Sequence, residues 1–154
     1  MKITIIAINN FEKNTSQEIF NEYKKRLRYK LDLKELTPKL SKSLSDTQIK
    51  QEEGKAILKN LDKNSFIIAL DEKGKEVTSK DFSALFEKIM LDGNSHITFI
   101  IGGACGLDDE VLRACNLKMS LSKMTFPHLM VRIILIEQIY RAQTIIDRHP
   151  YHKE

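Results

Sequence analysis

The chain has 154 residues, 42% of them hydrophobic, which is the size of one domain with a sizeable core and leaves no length for a second. Its 25 Lys and Arg against 21 Asp and Glu leave a formal net charge of +4, a mild surplus that does not identify a protein coating nucleic acid. Two cysteines, Cys105 and Cys115, without a CxxC pair or a Cys/His cluster exclude a disulfide framework and a zinc site, so a reduced, cytoplasmic protein without metal is expected.

Residues 2–8 are β-branched and nearly all apolar, as in a strand buried on both faces. That run is too short for a signal peptide, and no stretch of about 18 uncharged apolar residues follows, so no membrane association is expected. Thr15-Ser16-Gln17-Glu18 reads as a capping box, and Ile19, Phe20, Tyr23 and Leu27 follow at helical spacing, which predicts a helix over 16–28. Its basic stretch, Lys24 to Lys30, reads as a solvated face or as a place for RNA phosphates. Leu31, Leu33 and Leu36 suggest a second, less buried strand, and residues 38–46, rich in Lys and Ser, a mobile loop.

Asp46 is positioned to cap a helix to about Leu61, with Ile49, Ile57, Leu58 and Leu61 inward and Gly54 a weak point. A third strand covers 65–70, with Asp71-Glu72-Lys73-Gly74 as its turn, and Thr78 caps a helix over 79–91 that Asp92-Gly93 ends. Residues 97–101 form a fourth strand. A glycine loop at 102–106, a short helix near 108–115, a brief strand at 119–121 and a long helix over 128–148 complete the order. Strands separated by helices predict an α/β fold, a single domain with a mostly parallel sheet flanked by helices. The last helix carries Leu129, Met130, Val131, Ile133, Ile134, Leu135, Ile136, Ile139, Tyr140, Ile145 and Ile146 around its whole circumference. One domain covers only one side of such a helix, so the other side is expected to meet a second copy in an obligate homodimer.

Two small-residue loops directly after apolar strands, Gly102-Gly103-Ala104-Cys105-Gly106 and Ser120-Leu121-Ser122-Lys123-Met124-Thr125-Phe126-Pro127, sit where an α/β sheet holds its ligand, and they read as a pocket for a flat, partly apolar cofactor. A glycine loop alone equally serves a tight strand-to-helix turn. Glu137 and Arg141, four residues apart, are candidates for chemistry or a helix ion pair of roughly 0.3–0.5 kcal/mol. Cys105 and Cys115 read as small apolar fillers.

Ile-Gly-Gly-x-x-Gly-Leu at 101–107, Leu-Ser-Lys-Met-Thr-Phe-Pro-His at 121–128, Glu-Gln-Ile-Tyr-Arg-Ala at 137–142 and the terminal His149-Pro150-Tyr151-His152-Lys153-Glu154 closely resemble the RlmH family of ribosomal RNA methyltransferases, of the SPOUT superfamily. The resemblance spans the chain in length and element order, is weak over 9–60 and is specific in the last third. It implies a trefoil-knotted homodimer that uses S-adenosylmethionine to methylate N3 of a pseudouridine in large-subunit (23S) ribosomal RNA on assembled ribosomes. The knot rests on the resemblance alone, since periodicity gives no sign of one.

Carried over by position, the cofactor site is Leu70, Gly102, Gly103, Leu121, Ser122, Lys123, Met124, Thr125 and Phe126. Methyl transfer is an in-line displacement, so the protein holds the accepting nitrogen in line with the methyl group and removes the N3 proton. Glu137, His128 and His152 are the candidate bases. Arg132 and Arg141 are candidates for phosphates or uracil carbonyls, and Tyr151 for stacking on a base. Two other readings are a methyltransferase of this fold acting on another RNA, and a silent RNA- or ribosome-binding module that keeps the fold.

Overall fold

The apolar run at the amino end forms β1 (Lys2–Ile8), an interior strand of the sheet in which every residue after Lys2 is buried. The computed structural model describes residues 1–11 and 15–153. In chain order follow α1 (Thr15–Arg26), β2 (Lys30–Leu36), α2 (Asp46–Asn60), β3 (Phe66–Glu76), α3 (Ser79–Leu91), β4 (His96–Ile101), α4 (Asp109–Ala114), β5 (Leu117–Ser120) and α5 (His128–Ile146). The strands lie in the order β2-β1-β4-β3-β5, and every pair is parallel. The α/β expectation holds.

Strand alternation divides the core into two layers. Ile3, Ile5 and Ala7 of β1, with Ile97, Phe99 and Ile101 of β4, face Phe82, Phe86, Leu135, Ile136 and Ile139 of α3 and α5. Ile6, Ile8, Ile67, Ala69 and Ile100 point the other way, toward Ile57, Leu107 and Val111. Thr98 is buried in β4, where the Ser65 hydroxyl lies 2.7 Å from its own. In α1 Phe20 is buried as its spacing requires, whereas Ile19 stays exposed.

Two local readings change. Ser45, not Asp46, caps α2: its hydroxyl accepts the Gln48 N–H, and the Gln48 side chain accepts the Ser45 N–H, the reciprocal capping box that leaves Asp46 in the first helical turn. The third strand does not stop at Leu70. Leu70 and Lys75 both register with Met119, so the segment between them is looped out of the ladder and β3 resumes to Glu76. Gly74 makes this possible, because a Cβ there would stand 2.6 Å from the backbone of Met119. We predict that Gly74→Ala costs about 1–3 kcal/mol by forcing β3 and β5 apart, read as a lowered midpoint in thermal unfolding. Residues 37–45 carry neither helix nor strand. Among the described residues, no helix is long and apolar enough to cross a membrane, and no group of three or more His, Cys, Asp or Glu is arranged to hold a metal.

Candidate active site

The carboxyl ends of β3, β4 and β5 open together, with Leu70 in register with Ile101 on one side and Met119 on the other. The glycine loop folds back on itself there: Gly106 has φ +81° and donates its N–H to the Gly103 carbonyl at 3.1 Å. The second loop is pinned by serines. The buried Ser120 hydroxyl donates to the Ser122 carbonyl at 2.8 Å, and the Ser122 hydroxyl accepts the Met124 N–H at 2.9 Å.

Between the loops lies a cleft of about 920 Å³. Of the nine residues expected to hold a cofactor, Leu70, Gly102, Gly103, Leu121, Ser122, Met124, Thr125 and Phe126 line it, and Lys123 does not. Met124 is 73% exposed at the lip, an apolar side chain that a flat ligand would cover. The two glycines also serve the protein's own packing. A Cβ on Gly102 would stand 3.0 Å from Leu107, and one on Gly103 would stand 2.6 Å from the Glu53 carboxylate.

His128 begins α5 and lines the cleft with Val131. Burial, and then the charge of Arg132, hold its pKa below the ordinary histidine value. Its imidazole is therefore neutral at pH 7 and has a lone pair to accept a proton.

The other expected catalytic groups form a separate cluster. Glu137 accepts the Arg141 Nε–H at 3.0 Å, the Tyr151 hydroxyl at 3.1 Å and the Gln138 amide at 2.7 Å. Arg141 Nη1 lies 3.3 Å from His152 Nδ1, and its guanidinium lies 4.9 Å from the Tyr151 ring centroid. Tyr151 packs edge-on against Tyr140, and its hydroxyl is 3.3 Å from that of Tyr23. The tail is thus folded onto α1 and α5 rather than frayed. None of Glu137, Arg141, Tyr151 or His152 lines the cleft. Glu137 and Arg141 lie nine and thirteen residues beyond His128, about 14–20 Å along the helix axis, so one chain does not bring the expected catalytic set together.

Arg132 is corrected outright as a residue for RNA. It is fully buried, donates to Glu35 Oε1 at 2.9 Å and to the carbonyls of Ile8 and Asn9, and lies over the Phe11 ring. A guanidinium enclosed in this way faces the ends of β1 and β2 and meets no solvent. Two site residues went unnoticed in the sequence: Lys50 of α2, at the cleft edge, and Glu53, behind Gly103.

A family model described as "Predicted SPOUT methyltransferase" matches residues 1–152. A Clostridium botulinum protein named ribosomal RNA large subunit methyltransferase H is 46% identical over 99% of this chain and all of its own length, and a Clostridium perfringens protein of that name is 44% identical over the same shares. Among solved structures, a probable methylase family protein from Haemophilus influenzae superposes with a TM-score of 0.56 at 15% identity, covering 99% of this chain and 70% of its own. A putative methyltransferase from Legionella pneumophila, solved with bound S-adenosylmethionine, gives 0.51 at 13% identity, covering 93% and 66%. The chain is a member of the SPOUT methyltransferase family.

Proposed function

We propose that this chain is an S-adenosylmethionine-dependent methyltransferase of large-subunit ribosomal RNA, with the cofactor in the cleft between the glycine loop and the loop over 121–126. The carrying observation is that cleft, where eight of the nine expected residues converge at the strand ends of a chain 46% identical to a protein named for this activity. The cleft fits the group: its volume lies within the range of small-molecule sites, and Leu70, Leu121, Met124 and Phe126 offer apolar walls beside hydroxyls and open backbone. Bound there, the cofactor supplies an electrophilic methyl group on its sulfonium. The protein's part is to orient the acceptor nitrogen and to take its proton at His128. The finer target, N3 of a pseudouridine in 23S RNA on assembled cytoplasmic ribosomes, is what the resemblance carried by the motifs of the last third implies.

The working unit in this reading is a homodimer. Met130 is 50% exposed and Ile133 and Ile134 are half-buried, an apolar face on α5 that a second copy would cover. The dimer also solves the separation of His128 from the tail, since one chain's Glu137, Arg141, Tyr151 and His152 can close over the partner's cleft as the RNA-facing wall. Arg26 and Arg28 are held by Glu22 and Asp147, which leaves less of the α1 charge for phosphates than the sequence implies. The trefoil knot is supported by the return of the chain from β5 at the sheet edge to Ile8 and Asn9 at the end of β1, three strands away.

Calorimetry with S-adenosylmethionine, and nucleoside mass spectrometry of ribosomal RNA from cells with and without the gene, test the activity. A protein without binding heat, or a methylated pseudouridine that persists after deletion, sinks it. The dimer is tested by complementation. A chain lacking residues 149–154 and a Leu121→Trp chain should each be inactive, and their equimolar mixture should recover roughly a quarter of the wild-type rate through mixed dimers. A mixture that stays inactive would show that tail and cleft act within one chain.

A further inference from the structure

Among the described residues, Lys50 is the single lysine that is not exposed. It stands on α2 and lines the cleft, whereas Lys55 and Lys59 of the same helix face water, the first paired with Glu52 at 2.6 Å. Lys50 itself has no hydrogen bond or ion pair with any described residue. Drawing an ammonium partly out of water without a partner costs stability, and an anion brought to it offsets that cost. A lysine stem often lies along apolar surface with its head free in water, but here the head belongs to the cleft: its charge acts on the Cys105 thiol of the glycine loop, opposing the rise that burial imposes there.

The cleft has two unlike sides. Leu70 at the end of β3 and Leu121, Met124 and Phe126 of the second loop make one side apolar. The other is the glycine loop, which offers backbone without side chains at Gly102 and Gly103, and Lys50 beside it. Helix α2 is held close to that loop, since a Cβ on Gly103 would stand 2.6 Å from the Glu53 carboxylate. The other lysines of the cleft, Lys73 and Lys118, are exposed and belong to β3 and β5, on the apolar side.

The methyl donor is two-ended in the same way. Its adenine is flat and partly apolar, and its amino-acid end carries a carboxylate, with the sulfonium between them. A base that takes the apolar side leaves the amino-acid end at the glycine loop, where Lys50 is the cation within the cleft. We propose that Lys50 is a binding residue for the methyl donor, its ammonium pairing with the carboxylate of the amino-acid end. Lys50 thereby selects the complete donor over an analogue that lacks this group. This inference rests on the donor lying in that cleft.

The test is calorimetry on the full-length chain with two compounds, S-adenosylmethionine and its decarboxylated analogue, which keeps the adenosine, the sulfonium and the amine. Lys50→Met retains the length of the stem and removes the charge. It should weaken S-adenosylmethionine binding about tenfold or more and leave the affinity for the decarboxylated analogue unchanged or higher, since no carboxylate is there to lose its partner. Lys50→Arg, which keeps the charge, should lose less than Lys50→Met. Ligand-free thermal unfolding of both variants should stay within about 2 °C of wild type. Equal losses for the two compounds would overturn the proposal, because the side chain would then act on the shape of the pocket. So would S-adenosylmethionine affinity within about twofold of wild type in Lys50→Met, and if methylation of ribosomes fell at the same time, the ammonium would be assigned to an RNA phosphate instead. The wild-type chain separates this claim from the one it rests on. If it binds neither compound, the pocket reading fails; if it binds S-adenosylmethionine and Lys50→Met binds it equally well, only the role of Lys50 is refuted.

Discussion

Replacing His128 with alanine should lower turnover about 10²- to 10⁴-fold, the usual contribution of a positioned general base, while S-adenosylmethionine affinity changes by less than about twofold. The size follows from placement. Of the three candidate bases, only His128 lines the cleft. Glu137 is occupied by three donors, and His152 faces the permanently charged Arg141. The pH profile gives a second readout. His128 must be neutral to accept a proton, and burial and Arg132 both disfavour its charged form, so the acid limb of kcat should fall below the ordinary histidine value of 6.5. Activity is full at neutral pH and declines as pH drops through that lowered pKa. An alanine variant with near-normal turnover, or an acid limb above 6.5, would move the base elsewhere.

Much of the site could be read from the chain because its signals are local. The β-branched run of β1 and the two loops after β4 and β5 each carry their message within ten residues, and the structure places both loops on one cleft. The cap of α2 was also within reach: Ser45-Asp46-Thr47-Gln48 offers three acidic or hydroxyl caps, and the Gln three positions after Ser45 decides among them. Where the reading fell short, the partner is far away in sequence. Nothing near Glu53 announces a glycine fifty residues later. The continuation of β3 depends on how closely β5 approaches Gly74, which no propensity encodes. Arg132 looked like a cation one turn beyond a candidate catalytic histidine. Its acceptors lie 97 to 124 residues back, and only the fold shows that the apolar circumference of α5 encloses it.

That enclosure makes Arg132 the residue whose loss should cost most stability. Its guanidinium joins α5 to Glu35 at the end of β2 and to the carbonyls of Ile8 and Asn9 at the end of β1, and Asn9 is held at φ +68°, a conformation uncommon outside glycine. Glu35 also accepts the Phe11 N–H, and the Phe11 ring lies 4.7 Å below the guanidinium. Arg132→Met fills similar volume but strands both carbonyls and the partly exposed Glu35 carboxylate, which can turn to water, so the cost should be about 3 kcal/mol, the lower end of the range for breaking a buried pair. For a chain of this length that is a fall in melting temperature on the order of 10 °C. Lysine should rescue little, because a single ammonium does not reproduce the planar fork that meets Glu35 and two carbonyls at once. Arg132→Met with Glu35→Met should lose less than the sum of the single variants, since the stranded charge is removed with its partner. The same substitution deletes one of the two influences that depress the His128 pKa, so any residual activity should show its acid limb moved upward toward 6.5. A methionine variant that melts within about 2 °C of wild type would mean that the buried guanidinium contributes little net stability and that the apolar contacts of α5 hold the helix to the sheet by themselves.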